Sequence, residues 1–94
     1  MVRELAEIEL GDNGTAFEAA VAQAAPLFAA AAGCGGLTLH RSIEHPGRYW
    51  LIVRWDAVAD HEAFRATEAF GRWRALVGPY FLGPPRVEHL EQVG

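Results

Sequence analysis

The sequence predicts an α+β sandwich of ferredoxin-like topology: a four-stranded antiparallel sheet, in the chain order βαββαβ, with both helices on one face. Three observations lead there. Two stretches with helical spacing, each closed by Gly or Pro, separate segments that alternate like strands. The central pair of those segments is joined by a short turn, which makes an antiparallel hairpin. The third is Tyr49–Trp55, read Tyr-Trp-Leu-Ile-Val-Arg-Trp, which is apolar on both of its faces. Residues 1–94 are expected to form one domain, near the lower end of what folds alone.

Taken in order, Ala6, Ile8 and Leu10 alternate with Glu7 and Glu9, so Val2–Leu10 reads as the first strand. Gly11-Asp12-Asn13-Gly14 is a turn cluster. Thr15 and Glu18 have the spacing of a capping box, and Phe17, Val21, Ala24, Phe28 and Ala31 follow at helical intervals. Pro26 is expected to kink or divide that helix by removing a backbone donor, and Gly33, Gly35 and Gly36 to end it. Leu37–Glu44 is the second strand, with Leu37, Leu39 and Ile43 on one face and His40 on the other. In the turn that follows, Pro46 and Gly47 occupy the positions a type II turn prefers. The segment ending at Trp55 pairs back as the third strand. A second helix is expected from Val58 to Val77, with Ala63, Ala66, Phe70, Trp73 and Val77 along one stripe. Gly78-Pro79 stops it, and Val87–Val93 is the closing strand.

The third strand raises a question of cover. Tyr49, Leu51, Val53 and Trp55 share one face; Trp50 and Ile52 share the other, interrupted only by Arg54. Two helices can cover one face of such a sheet. The other needs a second layer, and a second copy of the same chain supplies one, so a homodimer is predicted.

Composition excludes several function classes. A formal net charge of −4, with eight scattered arginines and no lysine, gives no basic surface for nucleic acid. No apolar run approaches the ~20 residues of a membrane span, and Met1-Val2-Arg3-Glu4 does not resemble a signal peptide, so a cytoplasmic location is expected. Cys34 stands alone, which rules out an internal disulfide and a cysteine-based zinc cage. His40 and His89 fall on strands at opposite edges of the predicted sheet, His45 is in a turn, and no pair of the four histidines has metal-ligand spacing; no metal site is expected. No glycine-rich phosphate loop follows a strand.

The segment Arg48–Trp55, then His61, Phe64-Arg65, Trp73-Arg74 and Val87-Glu88-His89, resembles the antibiotic biosynthesis monooxygenase family. The resemblance covers essentially the whole chain and is sharpest from Glu44 to Val93. It implies a dimeric α/β barrel, in which two ferredoxin-like sheets face each other. The family's chemistries range from cofactor-free oxygenation of aromatic polyketides and quinols to haem degradation, with isomerases and cyclases among related barrels. The haem-degrading branch does not fit. Where its motif has a tryptophan and a histidine this chain has Phe64 and Arg74, and Val2–Leu10 lacks the expected asparagine.

That same alignment implies that Phe64, Thr67, Gly71 and Arg74 edge a substrate cleft. The resemblance thus points to a cofactor-independent monooxygenase acting on a small aromatic, quinol or polyketide-type substrate, with neither cofactor nor metal. Such chemistry needs a dry aromatic pocket, a base and an anion-stabilising group. Tyr49, Trp50, Phe64, Phe70 and Trp73 are candidates to line the pocket; His61 or His40 is the candidate base, and Arg74 the anion holder. Trp73 can stack on a planar substrate, and Gly71 leaves room for one. A small-ligand binding protein, or an isomerase or cyclase using the same proton transfers, is the alternative.

Overall fold

A computed structural model describes residues 1–94. The elements are β1 (Val2–Glu9), α1 (Gly14–Ala29), β2 (Cys34–Arg41), β3 (Arg48–Trp55), α2 (Val58–Arg65), α3 (Glu68–Val77) and β4 (Arg86–Leu90), with a 3-10 turn at Gly78–Tyr80 before the last strand. The sheet order is β2-β3-β1-β4 and every pairing is antiparallel. This is the ferredoxin-like α+β sandwich the alternation predicts.

The register decides which residues meet the helices. In β1 against β3, Glu4 pairs with Val53, Ala6 with Leu51 and Ile8 with Tyr49. All of these are buried, as is Trp55. Trp50 and Ile52 therefore face the other way, beside Leu5 of β1, and are only partly buried in the lone chain. The helix-covered face carries an aromatic centre in Phe28, whose ring lies 4.8 Å from both Phe64 and Trp73 and 6.4 Å from Trp55. A second cluster joins Phe17 to Tyr49, Tyr80 and Phe81 at the other end.

Five local expectations are revised. Helix α1 is not opened by a Thr15–Glu18 box: Asn13, in the left-handed region at φ 70°, is its N-cap without a side-chain bond. Glu18 is engaged elsewhere, accepting from the Tyr49 hydroxyl at 2.6 Å and from Arg41 at 3.1 Å, which ties α1 to the β2–β3 hairpin. Pro26 does not divide α1. It lies on the exposed side, where water can take up the Ala22 carbonyl that the proline ring leaves without a donor. The predicted second helix is two helices, because Thr67 accepts from the Phe70 amide at 3.3 Å while donating to the Phe64 carbonyl at 2.6 Å. Its hydroxyl closes α2 and caps α3. The second strand runs earlier than predicted, leaving Ile43 outside it and 90% exposed. The last strand ends at Leu90, short of Val93. The hairpin turn is as expected: the Arg48 amide donates to the His45 carbonyl at 3.0 Å, and Gly47 has φ 89°.

Because Phe28 joins α1, β3, α2 and α3, Phe28→Ala is expected to cost about 3–5 kcal/mol in urea denaturation. A loss below about 1 kcal/mol would show that this cluster does not organise the core.

Candidate functional site

A cavity of about 410 Å³ opens between α3, the end of α2 and the β1–β4 edge of the sheet. The strand β4 is exposed along its whole length, so no helix covers the inner face there and the gap persists. Ala6, Ile8 and Leu51 form its base; Phe70, Trp73 and Phe81 supply aromatic walls, and Pro84 and Pro85 close one side. Only four charged or titratable side chains line it: Glu4, His61, Arg65 and Arg74. Its size and mostly apolar lining with few polar groups are those of a small-molecule site.

Glu4 is the residue around which the polar part is built. It continues the inward parity of Ala6 and Ile8, so its carboxylate is carried into the core and is 6% exposed. Oε1 accepts from the Trp55 indole at 3.0 Å and lies 3.2 Å from His61 Nε2. His61, 4% exposed, reaches down from α2 with its ring stacked on Trp55 at 5.3 Å. Its Nδ1 is 2.8 Å from Nε2 of His89, which β4 places directly opposite Glu4. Glu4 Oε2 takes part in none of these bonds, and no fully buried side-chain oxygen lacks a partner, so Oε2 is the atom presented to the cavity.

Burial governs the protonation of this group. The Glu4 carboxyl is held above its ordinary value by desolvation, partly opposed by the Trp55 hydrogen bond and by His89 and Arg65. The His61 imidazole is pushed down to about 4 by desolvation, with His89 and Arg65 adding to the effect. The His61–Glu4 contact has ion-pair distance, but burial keeps the imidazole neutral at neutral pH, so it is not an ion pair. Between His61 Nδ1 and His89 Nε2 one nitrogen donates and the other accepts, according to the tautomer.

The structure gathers four of the predicted residues at the cavity and scatters the rest. His61, Phe70, Trp73 and Arg74 line it together. His40 does not: with Trp50, its partner in the β2–β3 register, it lies on the outer sheet face, where it bonds Thr38 at 2.9 Å. Tyr49 is on the inner face but at the other end, bonded to Glu18. Phe64 is core, 3% exposed among Phe28, Trp55 and Phe70. Thr67 serves as a cap, and Gly71 sits on the open side of α3 with no atom within 4 Å of where a Cβ would be. The three helix departures, Phe64, Thr67 and Gly71, share a cause: the chain breaks at Thr67 between α2 and α3, so the expected Phe64–Arg74 edge is not one continuous helix face. Sequence reasoning missed Glu4, Arg65 and the role of His89. For Glu4 the signal was present, since residues 4, 6, 8 and 10 share one parity.

No group of three or more His, Cys, Asp or Glu side chains is placed to hold a metal ion. Glu4, His61 and His89 form a string, with the two nitrogens of His61 directed to different partners, rather than a convergent set. No helix is long and apolar enough to cross a membrane.

Fold and cleft together define a ferredoxin-like α+β protein with a small-molecule cavity at the β1–β4 edge. The chain belongs to the antibiotic biosynthesis monooxygenase family, whose model matches residues 1–76. Among solved structures, a Bordetella bronchiseptica protein named for the same family is 48% identical, with a TM-score of 0.95 over 98% of this chain and 96% of that one. YczJ of Bacillus subtilis (strain 168), described as uncharacterised, is 34% identical over 99% of this chain and its own full length. SnoaB, a cofactor-independent oxygenase from Streptomyces nogalater, superposes with a TM-score of 0.83 over 97% of this chain and 91% of its own. At 18% identity that likeness is one of fold.

The shifted groups set opposite pH dependences. A histidine whose folded value is depressed contributes stability that is complete above the unfolded value of 6.5 and is lost as the pH falls towards about 4, on the order of 3 kcal/mol for His61. Glu4 acts in reverse: its raised value makes the ionised form costly in the folded state, so acidification through that value relieves strain. Comparing Glu4→Gln with the parent isolates this second contribution, and the difference in ΔG is expected to shift in the parent's favour as the pH falls from 7. The His61 ring resonances are expected to show a neutral imidazole down to about pH 4. A His61 ring that titrates near 6.5 would contradict the assignment.

Proposed function

We propose that this protein is a cofactor-independent oxygenase of a small, electron-rich aromatic substrate such as an anthrone or hydroquinone, working as a homodimer. One observation carries the reading: a buried carboxylate with one free oxygen shares an aromatic-walled cavity with two arginines. Glu4 takes the role of base that sequence reasoning gave to a histidine. His61, neutral, bonded to His89 and 3.2 Å from Glu4 Oε1, packs against the carboxylate and keeps it in place.

For an anthrone, the ring methylene gives a proton to Glu4 Oε2, whose raised affinity suits it to the task. Arg74 stabilises the anion, and Trp73 and Phe70 stack on the ring system. The anion passes an electron to dioxygen, and recombination forms the C–O bond of a peroxide anion. Glu4 returns the proton to the distal oxygen, and loss of water from the hydroperoxide leaves the quinone. Anthrone and dioxygen thus become anthraquinone and water, with no electrons required from elsewhere. An isomerase or cyclase would use the same base and cations without oxygen, and a binding protein would use neither.

The dimer would form through the outer face of the sheet. Leu5, Trp50 and Ile52 make its apolar centre, and the rim is charged, with Arg48 bound to Glu9 at 2.6 Å and Arg86 within 3.5 Å of Glu7. An apolar centre inside a polar rim is the pattern of a stable interface, and a second sheet would give Trp50 and Ile52 the cover they lack.

Oxygen uptake from anthrone is the decisive measurement. Glu4→Gln is expected to lower kcat by about 10²-fold or more while the fold persists; turnover that survives in this variant removes Glu4 from the mechanism, and no uptake by the parent removes the oxygenase. Trp50→Glu is expected to sediment as a monomer at micromolar concentration. A dimer that survives it would place the interface elsewhere.

A further inference from the structure

The arginines are not all alike. Six of the eight have polar partners: Arg3 with Gln92, Arg41 with Glu18, Arg48 with Glu9, Arg54 with the Gly35 carbonyl, Arg72 with Glu68 and Arg86 with Glu7. Arg65 and Arg74 make no hydrogen bond and no ion pair, and both line the cavity. In a chain with twelve acidic residues against eight basic ones, two free guanidinium groups at one place call for an explanation. Arg74 is further held against the Phe70 ring, its guanidinium carbon 5.9 Å from the ring centre.

A count of charge in the cavity sharpens the point. Glu4 is the one acid that lines it, and His61 is neutral. With Glu4 ionised the site carries two positive charges and one negative, and with Glu4 protonated the excess is larger. Moving a proton from substrate to Glu4 redistributes charge without changing this total, so the proposed reaction leaves one cation unneutralised at every step. A substrate that arrives already anionic removes the excess.

We propose that Arg65 and Arg74 recognise a permanent carboxylate on the substrate, so that the natural ligand is a planar aromatic acid rather than a neutral quinol or anthrone. This rests on the reading of the cavity as the substrate site under the proposed function, and it adds what that reading leaves open, the chemical class selected there. The guanidinium groups stand at the exposed rim and the aromatic walls lie within, so the acid group sits at the mouth and the ring system enters. Guanidinium pairs suit a carboxylate because their donors are planar and match its two oxygens.

The test uses unreactive ligands, so that it does not depend on turnover. Anthraquinone-2-carboxylate and anthraquinone-2-carboxamide are titrated calorimetrically into the protein. The acid is expected to bind roughly tenfold more tightly than the amide at low salt, and salt at about 0.5 M to narrow that preference. In the double variant Arg65→Gln/Arg74→Gln the preference should fall below about threefold. The preference is read as the ratio of acid to amide affinity within each protein, and circular dichroism should confirm the fold. Equal binding of acid and amide by the parent, a preference that survives in the double variant, or binding of neither ligand overturns the proposal. Oxygen uptake distinguishes this failure from failure of the oxygenase reading. Equal turnover of anthrone and anthrone-2-carboxylate sinks the acid preference alone, whereas acid-selective binding without any turnover sinks the oxygenase alone.

Discussion

The structure turns on a carboxylate placed where a hydrophobic residue would ordinarily go. Glu4 occupies an inward position of a central strand, and its ionised form can persist there only if donors meet it. Trp55 supplies one from a second strand, His61 approaches the same oxygen to 3.2 Å from a helix, and His89 on a third strand bonds the histidine from behind. The polar string therefore constrains four elements at once. Its members do not close over Glu4 Oε2, which leaves one carboxylate oxygen at the wall of a cavity whose other charged groups are Arg65 and Arg74. A fully satisfied carboxylate would be structural, and an unsupported one would be protonated or would expel the fold around it.

The cavity itself follows from an imbalance between helices and strands. The single layer of helices covers the inner face over β2, β3 and β1, but β4 lies beyond its reach and is exposed throughout. The inner side of β1 thus has helix above it on one side and nothing on the other. The break at Thr67 matters here. A single helix from Val58 to Val77 would hold the rotational phase of His61 and Arg74 fixed relative to each other. Interrupting it lets α2 turn His61 and Phe64 inward while α3 presents Phe70, Trp73 and Arg74 to the same space.

Much of this was legible in the chain, and what was not has physical reasons. Period-2 alternation set the strands, and the two-sided Tyr49–Trp55 segment located the sheet centre, because parity is a local property that burial enforces. Parity also contained Glu4, although a carboxylate at the start of a strand reads naturally as a solvent-facing end. Which face of β3 meets the helices was not legible, since both are apolar. Nor was the helix break: Thr67 has ordinary helical neighbours, and only the hydroxyl's two bonds, to Phe64 and Phe70, reveal a cap. His89 eluded a reading by sequence spacing because its link to His61 depends on the β1–β4 register and on the tilt of α2 together.

The same logic explains why His61 is a poor base despite being the histidine at the site. A base must hold a free lone pair towards the substrate and gain a proton near the working pH. One nitrogen of His61 is bonded to His89 and the other lies against Glu4, and burial pushes the ring down to about 4, so it lacks the affinity for a proton. Desolvation acts on Glu4 in the opposite direction, because there the charged form is the deprotonated one. A single dry environment thus weakens the imidazole as a base and strengthens the carboxylate as one. Under the proposed function it is burial of the pair, more than the identity of either residue, that makes Glu4 rather than His61 the candidate proton acceptor.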